Sequence, residues 1–136
     1  MARVTCDILY IEGNQDDVYL FERALQKSGI PCTVCVVARM PQATSYLKGE
    51  PPYDDRAQFP IPDIIISDLA FHADAGVQFV HWLRGQSGLA HIKLLCLSSL
   101  EDPLRLQQIS DLAIVVIKKS LFFEDIMSAI RSTVGF

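Results

Sequence analysis

The chain is 136 residues long, half of them apolar, with twelve Lys and Arg against sixteen Asp and Glu for a formal charge of −4. That length fits one domain with a full core and no need of metal or disulfide staples, and the apolar share excludes intrinsic disorder. The acidic balance leaves no footprint for nucleic acid, the longest apolar run (112–117) is too short to span a membrane, and residues 1–7 lack the apolar stretch of a signal peptide, so the expectation is a cytoplasmic protein.

Residues 6–12 are the first of five short apolar segments whose Val, Ile and Leu content suits strands buried on both faces of a parallel sheet. A helical pattern follows, with Val18, Phe21, Ala24 and Leu25 on one face. Asn14 is placed to cap it, Asp16 and Asp17 favour its N-terminal dipole, and Gly29 and Pro31 end it. The second segment, 32–38, contains Cys32-Thr33-Val34-Cys35. Such a pair can be a redox couple or half of a zinc site, but side chains three apart on a strand point to opposite faces. No second pair follows, and Cys6 and Cys96 each sit alone in other segments. The four cysteines therefore read as small buried hydrophobes in a reducing compartment.

A short helix around 41–48 leads into a stretch, 49–62, that holds four of the seven prolines and reads as an extended loop rather than a domain boundary. The third strand segment is 63–67, followed by a helix over 77–84 with Phe79, Val80 and Leu83 as apolar positions. After the fourth segment, 92–97, a helix begins near Ser99, with Glu101 and Asp102 in its first turn and Pro103 early enough to be tolerated. The fifth segment, 113–117, precedes a last helix with Ser120 as candidate cap and Phe122, Ile126, Ile130 and Val134 four apart. Strands alternating with helices make an α/β chain of (βα)5 type, with a parallel, doubly wound, five-stranded sheet and right-handed crossovers. His72, His81 and His91 show no ligand spacing and read as surface residues; Trp82, Phe122 and Phe123 read as core or interface.

In such a sheet ligands gather beyond the carboxyl ends of the strands. Those ends carry Ile11-Glu12-Gly13-Asn14, Ser67-Asp68-Leu69-Ala70, Leu97-Ser98-Ser99 and Ile117-Lys118-Lys119. Two carboxylates can hold a hard cation such as Mg²⁺, a lysine can neutralise a phosphoryl oxygen, and a hydroxyl can donate to one. Together they describe phosphoryl transfer onto a carboxylate, with Asp68 as nucleophile. Each residue also has a plainer role open to it. Asp68 can cap a loop, Glu12 can pair with Lys118, and Ser98 and Ser99 can cap a helix.

These motifs, together with Ile8-Leu9-Tyr10-Ile11 before the acid, Pro62-Asp63-Ile64-Ile65-Ile66 before Ser67 and Asp74-Ala75-Gly76 after it, resemble the response-regulator receiver domain of two-component signalling over nearly the whole chain. The long Pro-rich loop is similar to that of stand-alone regulators, including ones paired with phytochrome-type histidine kinases. The resemblance implies a flavodoxin-like fold with strand order 2-1-3-4-5, spanning 1–136 without an output domain. It further implies that Asp68 accepts phosphate from a sensor histidine kinase or phosphotransfer protein. Glu12 matches the first acid of the Mg²⁺ pair, Ala70 the position that gives a backbone carbonyl to the metal, and Ser98 and Lys118 the switch hydroxyl and its lysine partner. By the same analogy a signal leaves through a protein partner at the fourth helix, fifth strand and fifth helix. A homodimer can use that face, with Leu121, Phe122 and Phe123 as candidate contacts or, alternatively, core.

The departures from the pattern are as informative. Gly13 stands where the family has a second, metal-ligating acid, so the pocket charge falls from −3 to −2 and weak Mg²⁺ binding is expected. Val115 replaces the aromatic switch residue, Lys119 the proline after the lysine, and Phe71-His72 the usual Met-Pro. A cis bond before a non-proline residue costs about 2.5–4 kcal/mol, so a trans Lys118–Lys119 bond with a displaced ammonium is expected. A flavin carrier would need a Ser/Thr/Gly-rich phosphate loop where this chain has Glu12-Gly13-Asn14-Gln15-Asp16-Asp17. An aspartyl-phosphate phosphatase would want an acid at Ala70, so the chain is not expected to be an enzyme. The remaining alternative is a phosphorylation-independent interaction scaffold.

Overall fold

Consecutive side chains of a strand point to opposite faces, so segments as uniformly apolar as Ile64-Ile65-Ile66 need a helical layer on each side. The computed structural model describes residues 6–67, 74–98, 114–118 and 123–134; for Ser98 and Ile114–Lys118 the description is of backbone and register. In chain order the elements are β1 (Cys6–Ile11), α1 (Gln15–Ser28), β2 (Cys32–Val37), α2 (Met40–Lys48), β3 (Ile64–Ser67), α3 (Asp74–Arg84), β4 (Lys93–Ser98), β5 (Ile114–Lys118) and α4 (Phe123–Val134). The strands form one parallel sheet in the order β2-β1-β3-β4-β5, the order expected. Leu9, Ile11, Ile65, Leu94 and Cys96 pack with Ala43, Leu47, Phe79 and Leu83 of α2 and α3. On the other face Ile8, Tyr10, Ile64, Ile66, Leu95 and Leu97 pack with Phe21, Leu25, Ile126 and Ile130 of α1 and α4. The helix expected near Ser99, the caps Ser99 and Ser120, and Leu121 and Phe122 lie outside the described residues.

Local chemistry sets the ends of α1. The Asn14 Oδ1 accepts from the Asp17 amide at 3.1 Å, and Gly29 closes the helix in the left-handed region at φ 73°. Strand boundaries shift by one residue where another bond competes. The Ile92 amide donates to Leu89 O at 3.1 Å, so β4 starts at Lys93. Asp63 uses both its amide, to Asp7 O at 2.8 Å, and its Oδ2, from the Asp7 amide at 2.8 Å, to fasten the entry to β3 against β1. Helix α3 begins at Asp74, a turn earlier than its apolar pattern, because Ala75-Gly76 adds no periodic signal.

The segment 49–62 is an ordered loop with a core of its own. Tyr46, Tyr53 and Phe59 stack in a ring cluster with centroids 5.3–5.9 Å apart. Arg56 reaches back over the C-terminus of α2, its guanidinium donating to the carbonyls of Tyr46 (2.9 Å), Leu47 (2.9 Å) and Phe59 (3.1 Å). Two carbonyls at a helix end and one in the loop satisfy a fixed fork of donors, and the helix end favours its charge. His81 and His91 are exposed, as expected, and Trp82 packs half-buried against the α2–α3 side with the Lys48 ammonium 5.9 Å from its ring centre.

The cysteines need a correction. Cys32 and Cys35 do lie on opposite faces of β2, Cys32 against the α1–α4 side and Cys35 against the α2–α3 side. Cys6, however, does not sit alone. It is the register partner of Cys32, with their Cα atoms 4.7 Å apart, and the two form a disulfide between β1 and β2. Parallel pairing brings the first residues of two strands side by side, a relation that spacing along the chain does not reveal. Only Cys35 and Cys96 keep their thiols. No helix among the described residues is long and apolar enough to cross a membrane.

Candidate functional site

The carboxyl edge of the sheet is built outward from the last rungs of its strands. Ile11 of β1 pairs with Ser67 of β3, and Ser67 pairs in turn with Cys96 of β4. One rung beyond Leu97 and Ile117, Ser98 of β4 is the register partner of Lys118 of β5. The backbone thus brings Ser98 and Lys118 side by side at the edge where Glu12 leaves β1. Asp68 and Ala70 lie outside the described residues, as does Lys119 and with it the Lys118–Lys119 bond. Val115 pairs with Leu95 on the second rung of the β4–β5 ladder, three rungs before Ser98 and Lys118.

Glu12 is 8% exposed, a buried acid at the head of the site. Its amide extends the β1–β2 ladder by donating to Val37 O at 2.9 Å, which fixes the backbone from which its side chain projects. Its Oε1 accepts from the Asn14 amide at 3.1 Å, and Asn14 in turn caps α1. The carboxylate is therefore anchored to the turn that starts the helix, with its positive dipole end close by. The sequence pattern identifies Asn14 as a cap but not as the partner that holds Glu12. The Glu12-Gly13-Asn14 spacing, a carboxylate two residues before an amide, was the signal available.

Gly13 is exposed and its φ is not in the left-handed region, so the backbone does not demand glycine. A Cβ built there would stand 3.3 Å from Ala38 O. That carbonyl is held in place, because Gln42 Oε1 accepts from the amides of both Ala38 (2.9 Å) and Arg39 (3.1 Å) at the start of α2. The space for a side chain at position 13 is thus narrow but not closed.

Ser67, the last residue of β3, has no signal in the sequence pattern that sets it apart. It is 1% exposed, and its hydroxyl is a buried polar atom with no hydrogen-bond partner among the described residues. Such an atom costs about 1–3 kcal/mol when left unsatisfied. It stands directly before Asp68, where a short polar side chain marks the end of an otherwise apolar strand.

For a divalent cation, the donor chemistry at this edge is that of hard oxygens, which suits Mg²⁺ or Mn²⁺. Glu12 fits as a carboxylate donor, anchored at the edge by Asn14. Among the described residues no group of three or more His, Cys, Asp or Glu could hold a metal.

No family model and no curated protein matches the chain. Solved structures do. The bacteriophytochrome response regulator AtBRR is 25% identical with a TM-score of 0.76, covering 96% of this chain and 93% of its own. The phosphorylated cyanobacterial phytochrome response regulator RcpA is 24% identical with a TM-score of 0.78, covering 94% and 90%. The Mn²⁺-bound form of the response regulator Rcp1 is 19% identical with a TM-score of 0.78, covering 96% and 93%. The chain has the fold of a response-regulator receiver domain, the signal-receiving module of two-component systems.

Proposed function

We propose that the chain is a receiver of a two-component phosphorelay, taking a phosphoryl group on Asp68 from a histidine kinase or phosphotransfer protein. The observation that carries the reading is the meeting, at one sheet edge, of the buried and anchored Glu12, the end of β3 that runs into Asp68, and the Ser98–Lys118 rung. A carboxylate oxygen of Asp68 attacks phosphorus, the P–N bond to the donor imidazole breaks, and an acyl phosphate forms while the imidazole nitrogen is left to take up a proton. The Ser98 hydroxyl donates to a phosphoryl oxygen and the Lys118 ammonium neutralises another. Glu12, Asp68 and the Ala70 carbonyl are the residues that would hold Mg²⁺, which when bound supplies charge neutralisation at this edge. Structurally similar regulators include a phosphorylated one and an Mn²⁺-bound one, which supports both parts of the reading. With glycine at position 13, Mg²⁺ binds weakly.

Without an aromatic ring at Val115, the output does not use a ring rotation there. A downstream protein binds instead at the face that includes β5 and α4, and a second copy of the chain can compete for it. A cytoplasmic location goes with this reading. The alternative, a scaffold that holds one conformation without phosphorylation, is favoured by one observation, the Ala38 carbonyl 3.3 Å from the start of any side chain at Gly13. The two are separated by incubation with acetyl phosphate and Mg²⁺ and measurement of intact mass. A gain of one phosphoryl group that Asp68→Asn abolishes supports the receiver; no gain supports the scaffold.

A further inference from the structure

We infer that the Cys6–Cys32 bridge is a thiol–disulfide exchange site, opened and closed by a small thiol of the glutathione class, with Cys32 as the sulfur attacked. The bridge joins the first residues of β1 and β2, at the opposite end of the sheet from Glu12 and Ser67. A 136-residue chain with two packed apolar layers does not need a staple to fold. A bridge that the core does not require is the kind that serves redox sensing where thiols are otherwise kept reduced.

Exposure makes the site directional. Cys6 is 2% exposed and belongs to the buried cluster on the α1–α4 side, whereas Cys32, on edge strand β2, is only half-buried and is the more open of the two. The attacking thiolate bonds to Cys32 Sγ, the Cys6–Cys32 bond breaks, and Cys6 leaves and takes up a proton. A second thiol then removes the first from Cys32 as a small-molecule disulfide, and Cys32 is protonated. Two thiols are oxidised and one protein disulfide is reduced; the same steps run backwards with the small-molecule disulfide as oxidant. Cys35 does not intervene, since it lies on the other face of the strand.

The bridge closes a segment of 26 residues that contains the whole of α1 and the Glu12–Asp17 turn. Opening it frees that segment in the unfolded chain, and a loop of this length implies a fall in melting temperature of roughly 10 °C.

The test begins with the unmodified chain. After equilibration with oxidised glutathione, alkylation under denaturing conditions should leave Cys6 and Cys32 unlabelled, and after equilibration of the folded protein with reduced glutathione it should label all four cysteines. The melting temperature should fall on reduction, and Cys32→Ser should melt at one temperature in both buffers. In a Cys35→Ser background, oxidised glutathione should add to Cys32 of a Cys6→Ser variant and leave Cys6 of a Cys32→Ser variant untouched. Four labelled thiols under oxidising conditions, or two after reduction of the folded protein, would overturn the inference. So would equal addition to Cys6 and Cys32.

Discussion

The carbonyl oxygen of Ala38 stands 3.3 Å from the point where a side chain at Gly13 would begin, and the amide of Ala38 is tied to Gln42 Oε1 at 2.9 Å. Room for a side chain at position 13 is therefore a matter of a few tenths of an ångström. The turn between β2 and α2 must yield slightly to admit a Cβ, and the φ of Gly13 raises no further objection. Gly13→Asp should lower stability by about 1 kcal/mol, a mild overpacking cost, and tighten Mn²⁺ binding at least tenfold by calorimetry. Gly13→Ala should show the same loss of stability with no gain in metal affinity. Equal metal affinity in all three would mean that position 13 lies away from the cation.

Arg56 makes a second prediction. Arg56→Ala removes three donors from carbonyls at the end of α2 and in the loop, and should cost about 2–3 kcal/mol in urea unfolding. Arg56→Lys should not restore it, because a point charge cannot reproduce the fork. Limited proteolysis should then cut first within 49–62.

Two glycines end helices in the left-handed region, Gly29 at φ 73° and Gly49 at φ 71°, but their surroundings differ. Space around Gly29 is open, whereas a Cβ at Gly49 would meet the Arg56 guanidinium at 3.0 Å. Gly29→Ala should cost about 1 kcal/mol for backbone strain alone. Gly49→Ala should cost about 1 kcal/mol more, and that excess should vanish when Arg56 is also Ala. A double-mutant cycle measures the difference.

How much of this was legible in the sequence depends on the distance over which each feature is decided. The five strands, the Asn14 cap and the Gly29 stop rest on period and local chemistry, and appear within a residue or so of their expected places. The opposite facing of Cys32 and Cys35 followed from the same period of two. What depends on register did not. The Cys6–Cys32 bridge comes from strands pairing 26 residues apart, and the Ala38 carbonyl beside Gly13 from the path of a different turn. Arg56 is one charge in a proline-rich loop, and nothing near it in sequence says that it folds back onto Tyr46 and Leu47. In the site itself, Glu12 was legible as an acid at a strand end, but its anchoring by Asn14 was not.

Tyr46 gives the chain an alkaline limit. Burial, with the Cys35 thiol beside it, holds the phenol above its ordinary value of 10.0, while its hydroxyl donates to Pro60 O at 2.9 Å. The folded state thus keeps a proton that the unfolded state releases. The resulting stability is intact below pH 10 and falls as pH rises above it. Melting temperature should drop steeply between about pH 10 and 11, and Tyr46→Phe should flatten that drop while losing about 1 kcal/mol at neutral pH.

Ser67 carries a buried hydroxyl without a partner among the described residues. Ser67→Ala should leave stability unchanged or raise it by about 1 kcal/mol, since an unsatisfied buried group is removed with little change of volume. A loss of more than about 1 kcal/mol would show that the hydroxyl is bonded in solution.

The central claim is that Asp68 accepts a phosphoryl group at an edge weakened by Gly13. Its most direct test is the intact mass of the unmodified chain, Asp68→Asn and Gly13→Asp after incubation with acetyl phosphate and Mg²⁺. One phosphoryl group should add to the unmodified chain, addition should be more complete at low Mg²⁺ in Gly13→Asp, and Asp68→Asn should gain none. An unmodified chain that gains nothing at any Mg²⁺ concentration, or an adduct that persists in Asp68→Asn, would contradict the claim.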